Sequence, residues 1–378
     1  KGLVERVGSE APRLRQQAGD QVLECAVDAP DHGAGLRHVL AALVDGERGV
    51  LGSVTEIDGI GHRVVHGGER IDQPALVDDA VLGIIEANCE LSPLHNPPNL
   101  AGIRAAREAA PGTPNVAVFD TAFLATLPPK AYRYAVPAAW YRDHGVRKYG
   151  FHGTSHRYVA RRAAELLGTP PDALNAITVH LGNGCSMTAV AGGRAVDHSM
   201  GMTPLEGLVM GTRSGDLDPA VVPYMVQRGL GVEEVDRALN KESGLLGVSE
   251  HSNDMRDLLS AAEEGHEGAA LAIELFVYRL AKYVGAYYTV LPAVDAVILT
   301  GGIGENSVPV RAALCEALGR LGAALDTGRN EATTGGRAGP ITTGASSLPI
   351  WVVPTNEELL IARDTRRIVS GLRGPSGS

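Results

Sequence analysis

Three things are scarce in this chain, and each scarcity removes a class of function. Positive charge is not in surplus: 34 Lys and Arg stand against 44 Asp and Glu, a formal net charge of -10 over 378 residues. A nucleic-acid backbone is therefore not an expected partner, because such binding is driven by Lys and Arg neutralising phosphates. Cysteine is sparse. Cys25, Cys89, Cys185 and Cys315 are scattered without a C-x-x-C pair, which fits a reducing compartment. Long apolar runs are missing too, since residues 269–300, the most apolar region, are interrupted by Glu274, Arg279, Lys282, Pro292 and Asp295. No membrane span is expected from such a segment. No signal peptide is recognisable and residue 1 is Lys, so the chain reads as cytoplasmic, with a start that can be incomplete.

The chain does have length and glycine-rich junctions. With 44% hydrophobic and 21% charged residues, it can hold two domains and a sizeable core. Residues 176–201 alternate apolar and polar through Ile177, Val179 and Leu181, break at Gly182-Asn183-Gly184, resume through Met187, Ala189 and Val190, and break again at Gly192-Gly193. That pattern predicts three strands joined by two turns. Glycines on both sides of Asn183 leave backbone N–H groups bare at the first turn, which suits an anionic ligand as well as an ordinary hairpin. Four further junctions stand where apolar runs stop: His62-Arg63-Val64-Val65-His66-Gly67-Gly68-Glu69, Gly150-Phe151-His152-Gly153-Thr154-Ser155-His156, Gly211-Thr212-Arg213-Ser214-Gly215-Asp216 and Thr300-Gly301-Gly302-Ile303-Gly304-Glu305-Asn306. Several such loops at element ends point to one shared ligand site.

In chain order, residues 1–56 carry little pattern beyond a helix over 37–44. A short strand is expected over 59–65 and a helix over 77–88. A rigid loop over 91–99 leads into a helix over 98–110, and a buried strand over 115–119 places Asp120-Thr121 at its carboxyl end. The Pro- and aromatic-rich stretch 127–149 reads as a crossing between domains. A helix over 155–167 stops at Gly168, so the 151–156 loop lies on its N-terminus, where free N–H groups favour an anion. Helices are expected from about 218, over 232–238 and 254–264 with a Gly- and Ser-rich loop between the last two, and over 269–291. The strand over 294–299 is followed by a glycine loop over 301–307 and a helix over 308–321, an order that can cradle a phosphate or a nucleoside. A strand over 349–353, a final helix from Thr355-Asn356-Glu357-Glu358 to Gly371 and a flexible Gly-Pro-Ser-Gly-Ser tail complete the chain.

Phosphoryl transfer needs cations on the moving group, a carboxylate for Mg²⁺, a nucleotide platform and an acceptor pocket. Arg63 and Arg213 are cations at loop ends, Asp120 and Glu357 are carboxylates at strand ends, and His152 sits at a helix N-terminus. Each has a bland reading, because a lone Arg or Asp is most often a solvated surface charge. The spacings His62-x-x-x-His66 and His152-x-x-x-His156 are those of helical zinc ligands. The first lies in a β-branched run and the second spans a glycine loop, so a zinc hydrolase is the distant alternative.

These runs, with Asn115-Val116-Ala117-Val118-Phe119-Asp120-Thr121-Ala122-Phe123, His180-Leu181-Gly182-Asn183-Gly184 and Pro354-Thr355-Asn356-Glu357-Glu358, closely resemble the acetate kinase family in family order. The resemblance implies an α/β fold of two actin-like, ribonuclease H-like domains with a central cleft. Residues 1–121 and 358–378 would form the first, lacking its first strands, and residues 122–357 a nucleotide-binding and dimerisation domain. It implies a cytoplasmic homodimer that converts ATP and acetate to ADP and acetyl phosphate, reversibly, with Mg²⁺ or Mn²⁺, and no nucleic-acid or membrane partner. By position, Asp120 matches the catalytic aspartate, and Arg63, His152 and Arg213 the groups that stabilise the transferring phosphoryl. Glu357 matches the metal-binding glutamate. Arg63, Val65, Leu94, His95, Phe151 and Pro204 match substrate positions. His180, Gly182, Asn183, Gly184, Asp254, Met255, Arg256, Gly302, Ile303, Gly304, Glu305 and Asn306 match nucleotide positions. The pattern departs in two places: the family opens with a strand and an Asn-x-Gly-Ser-Ser-Ser turn that are absent before Gly2, and Leu124-Ala125 stands where the family usually has His-Gln. A propionate or other short-chain carboxylate kinase, or a catalytically impaired nucleotide-binding member of the fold, are the alternatives.

Overall fold

A computed structural model describes residues 1–372; the Gly-Pro-Ser-Gly-Ser tail lies outside the described residues. The chain divides into two compact units, Lys1–Ala122 with Glu358–Ser378, and Phe123–Glu357.

The first unit opens with an antiparallel meander, β1 (Gly2–Glu5), β2 (Arg13–Ala18) and β3 (Gln21–Ala26). The sequence reading found no strand here, and β2 shows why. Its inward residues are Leu14 and Gln16, so a polar residue occupies a core position and breaks the apolar alternation. The Gln16 Nε2 group donates to Ala42 O at 3.0 Å and Arg48 O at 3.3 Å, which pairs the donor half of the buried amide, while its Oε1 is buried with no hydrogen-bond partner. The following helix, His32–Leu43, begins five residues before the expected 37, because the Asp31 carboxylate accepts from Ala34 N at 2.7 Å and caps its first turn.

A second sheet in this unit has the order β4 (Ile60–Val64), β6 (Asn115–Phe119), β5 (Ala75–Leu76). Strands β4 and β6 run parallel, with Ile60 opposite Asn115 and Val64 opposite Phe119. One face of β6 packs Ala117 and Phe119 with Ile85 of helix Asp79–Ala87 and Ile103 of helix Asn96–Ala109. The other face packs Val116 and Val118 against Ile361, Ile368 and Val369 of the last helix, Glu357–Leu372. That helix lies so close to β4 that a Cβ on Gly61 would stand 2.4 Å from Thr365 Oγ1 and 2.7 Å from Ile361 Cγ2.

The second unit holds one sheet. Its strands are β7 (Ala176–Leu181), β8 (Cys185–Ala191), β9 (Arg194–His198), β10 (Ala296–Thr300), β11 (Gly339–Pro340) and β12 (Ile350–Val352), in the spatial order β11-β12-β10-β7-β8-β9. The expected strand–turn–strand–turn–strand over 176–201 is the antiparallel β7-β8-β9 edge, and β7, β10 and β12 are parallel. Helix Gly153–Leu167 covers the sheet through Val159, Ala160, Ala163 and Ala164 against Ala176, Val190, Ala296 and Ile298. Helix Glu267–Val290 buries Ala272, Phe276, Leu280 and Val284.

Three expectations are corrected. The stretch 127–149 is not a crossing: it lies inside the second unit and contains helices Pro129–Tyr132 and Ala138–His144. The glycine run after β10 is not a loop but the helix Gly301–Asn306. Gly301 adopts φ +77°, and a Cβ there would sit 2.7 Å from Leu181 O; the missing side chain lets the chain turn from strand to helix against β7. The Gly- and Ser-rich region between the expected helices contains the helix Gly244–Ser249, whose three glycine or serine residues hid it from propensity.

Gly61→Ala should lower stability by about 2 kcal/mol through overpacking at the β4–helix contact. Urea unfolding read by fluorescence and circular dichroism checks this; an unchanged midpoint would show that the last helix has room to move.

Candidate active site

In the first unit, parallel pairing of β4 and β6 brings Arg63 and Asp120 to adjacent strand ends. Asp120 is fully buried, and Arg63 Nε donates to both its carboxylate oxygens at 3.1 Å. The Arg63 side chain is 47% exposed. A buried anion is thus matched by a cation that still reaches solvent, which avoids the cost of an unpaired buried charge. The loop after β4 is pinned to helix Asn96–Ala109: Asn99 Oδ1 accepts from Val65 N and Asn96 Oδ1 from His66 N, each at 3.1 Å. Val65 is buried, whereas Leu94 and His95, just before that helix, are exposed. The two histidines of the His62-x-x-x-His66 spacing each hydrogen-bond a neighbouring group. His62 Nε2 donates to Asn115 Oδ1 at 2.7 Å, and His66 Nδ1 accepts from Gly68 N at 3.0 Å. Among the described residues no group of three or more His, Cys, Asp or Glu is placed to hold a metal ion.

In the second unit, the ends of β7 and β10 lie side by side, with His180 opposite Thr300. The turns that follow form the walls of a cavity of about 680 Å³. Gly182, Asn183, Asp254, Met255, Arg256, Gly302, Ile303 and Asn306 line it, joined by Asn253, Leu259, Ser307 and Pro309, which the sequence reading missed. Asn253 Nδ2 donates to Asn183 Oδ1 at 3.0 Å, and Gly211 N to Asn183 O at 2.9 Å, so the hairpin tip is held from two sides. The Cys185 thiol donates to Gly182 O at 3.2 Å; burial pushes this thiol up to about 12, so it stays protonated. Hydrogen bonds from the Arg256 side chain and backbone hold the Asp254 carboxyl down at about 2. The volume and the mix of apolar wall and polar rim suit a nucleoside.

Four expected nucleotide residues stand outside that lining. Glu305 Oε1 accepts from Thr300 Oγ1, Gly301 N and Thr355 N at 2.9–3.1 Å, tying the strand–helix junction to the segment before the last helix. Gly304 O accepts from Arg311 Nη1 at 3.3 Å. Arg311, fully buried, also donates to Glu305 O at 2.6 Å and to Asn330; nothing in its local sequence marked this role. His180 Nδ1 bonds Ser155 Oγ at 2.8 Å. Gly184 sits against two further expected residues: a Cβ there would be 3.4 Å from both His152 Nε2 and Arg213 Nη1.

His152 takes a left-handed conformation, φ +57°, at the start of helix Gly153–Leu167, and its Nδ1 meets Ser186 Oγ at 2.9 Å. Arg213 Nη1 donates to Pro204 O at 3.1 Å, and burial lowers its pKa. Phe151 is buried, its N donating to His198 Nε2 at 3.1 Å. Thr154 Oγ1 donates to Glu357 Oε2 at 2.8 Å. Leu124, at the departure beside Asp120, is fully buried with Leu127 and Ala195, an apolar packing position. The second unit therefore combines a nucleoside-sized cavity with a guanidinium and an imidazole converging at one glycine, a set able to hold a phosphate chain.

Burial holds His66 down at about 4, and His156 and His198 well below the ordinary value. Below about pH 6.5 the unfolded chain takes up protons that the folded chain refuses, so stability is full above that pH and falls as pH drops toward 4. Each such histidine therefore adds to the loss of stability as pH falls through that window. Urea midpoints at pH 7 and pH 5 check this: the midpoint should fall, and equal midpoints would contradict neutral burial.

The Acetokinase family model matches residues 1–363. The acetate kinase of Thermotoga maritima is 52% identical over 371 residues, 98% of this chain and 92% of that protein. An acetate kinase structure from Porphyromonas gingivalis is 43% identical with a TM-score of 0.92, over 97% of this chain and 92% of that one. A propionate kinase structure from Francisella tularensis subsp. tularensis is 40% identical with a TM-score of 0.90 at the same coverage. Matched by the family model over nearly its whole length, the chain belongs to the acetokinase family.

Proposed function

We infer that this chain transfers the γ-phosphoryl group of ATP to acetate, giving acetyl phosphate and ADP, and runs the reaction in both directions. The observation that carries the reading is 52% identity over 98% of the chain to an acetate kinase. A carboxylate oxygen of acetate forms the new P–O bond while the bond to the β-γ bridging oxygen breaks and ADP leaves. Two anions must approach each other, so the chief task of the protein is to supply positive charge and donors to the phosphoryl oxygens.

In this reading Arg213 and His152 donate to those oxygens, and the cavity bounded by Gly182, Asn183, Asp254, Met255, Arg256, Gly302, Ile303 and Asn306 takes the nucleoside. His180, Gly184, Gly304 and Glu305 support that platform. Asp120 and Arg63 act on the acyl side, with Val65, Leu94, His95, Phe151 and Pro204 as substrate positions. Glu357 fits Mg²⁺: its carboxylate is anchored at one oxygen by Thr154, and a single carboxylate with no protein cage suits an ion held largely by substrate phosphates and water. When bound, such an ion neutralises charge on the phosphate chain. The second unit is proposed as the nucleotide-binding and dimerisation domain. The exposed Tyr224, Leu271, Tyr278, Tyr288 and Val290 on that unit support a homodimer. A cytoplasmic enzyme without nucleic-acid or membrane partners completes the proposal.

A second reading, a propionate or other short-chain carboxylate kinase, is favoured by the propionate kinase likeness. One methylene in an apolar pocket discriminates by only about 1–3 kcal/mol, so the two activities differ in degree.

Steady-state kinetics with acetate tests the assignment of Arg213. Arg213→Ala should lower kcat on the order of 100-fold, about 3 kcal/mol of barrier, while ATP affinity measured by calorimetry stays close to that of the parent chain. Unchanged turnover would overturn the role of this guanidinium.

A further inference from the structure

His152 belongs to a cluster of four histidines in the second unit, with ring centroids of His152 and His180 at 4.6 Å and of His156 and His198 at 5.4 Å. Imidazole does different chemistry depending on which nitrogen carries the proton, and that is set by the hydrogen bond the other nitrogen makes. We propose that a buried relay through Thr178, His156 and Ser186 fixes His152 with its proton on Nδ1. The inference rests on the proposed function only for what that proton means, not for where it lies.

The relay is read from its far end. Thr178 Oγ1 donates to Thr188 O at 3.4 Å, so it receives a proton from His156 Nδ1 at 2.7 Å. His156 is fully buried, and burial, with the neighbouring His198 and His180 acting in the same direction, keeps it uncharged, so its Nε2 is an acceptor and takes the Ser186 hydroxyl proton at 2.7 Å. Ser186 Oγ, its only proton committed, accepts from His152 Nδ1 at 2.9 Å. The opposite polarity would use the Thr178 proton on His156 and lose the bond to the Thr188 carbonyl. Two neighbours follow the same rule. His198 Nε2 accepts from Phe151 N, so its proton is on Nδ1, toward Thr188 Oγ1 at 2.8 Å. Ser155 Oγ donates to Thr355 Oγ1, so His180 donates from Nδ1 to Ser155.

The consequence concerns Nε2, the nitrogen of His152 that faces Gly184 alongside Arg213 Nη1. With the proton held on Nδ1, a neutral His152 presents a lone pair there. It donates to a phosphoryl oxygen only as the doubly protonated imidazolium, adding a second positive charge beside Arg213. Ser186, His156 and Thr178 are thus positioning residues that set the charge His152 carries when it acts. Groups that face the ring within this unit include His156 on its own helix, His180 on β7, Ser186 on β8, His198 on β9 and the Arg213 cation.

The test is long-range proton–nitrogen correlation NMR on the full chain with ¹⁵N-labelled histidine above pH 8, with His152→Gln assigning its signals. Neutral His152 should show a protonated Nδ1 and an unprotonated Nε2; a protonated Nε2 would overturn the relay. Thr178→Val, which removes one hydroxyl with little change of volume, should release His152 to a mixture of tautomers and lower kcat roughly 10–100-fold with KM for ATP little changed. Ser186→Thr, which keeps the hydroxyl, should retain the parent spectrum. A Thr178→Val spectrum identical to the parent would also overturn the proposal. A chain with the Nδ1 proton but no kinase activity would sink the function and leave the relay standing, so the two failures are distinguishable.

Discussion

Parallel pairing of β7 with β10 is the constraint on which the second unit depends. Both strands are almost wholly buried, and a strand buried on both faces has one register in which its apolar residues and backbone groups are all satisfied. That register sets His180 opposite Thr300 and so delivers the 182–184 turn and the helix Gly301–Asn306 to the same sheet edge. Glycine is required at this junction because the Gly301 backbone runs against Leu181 O at a distance no Cβ tolerates. The nucleoside-sized cavity follows from the pairing of the strands, with loop residues filling in its rim.

A second requirement, met separately in each unit, is that the polar groups of the candidate site residues be satisfied before any substrate arrives. Asp120 is met by Arg63, the histidine cluster by Ser155, Thr178, Ser186 and Thr188, and the carbonyls of Gly304 and Glu305 by Arg311. Each buried group left unpaired would cost about 1–3 kcal/mol. Pre-made partners also hold the donors still, so little reorganisation remains when charge moves.

How much of this was legible in the sequence depended on how local the cause was. The three strands over 176–201 were readable because alternation and glycine breaks lie within the segment itself. Strand β2 was not, because Gln16 occupies a core position and donates its Nε2 protons to carbonyls some thirty residues away. The helix at Gly301 was read as a loop, since glycine propensity argues against a helix that tertiary contact with β7 imposes. Of the expected nucleotide residues, Asn183 and Ile303 share a cavity wall, whereas Glu305 turns inward as a cap. Arg311 and Ser186 gave no signal: a buried cation bonded to carbonyls, and a serine between two rings, are defined by partners that only the fold assembles.

The most direct measurement is acyl phosphate formation, trapped as the hydroxamate, from ATP and Mg²⁺ with acetate, propionate or butyrate in parallel. The account predicts acyl phosphate from acetate with the highest kcat/KM of the three. Nucleotide binding without acyl phosphate from any of these acids would contradict it, and a clear preference for propionate would reassign the acceptor.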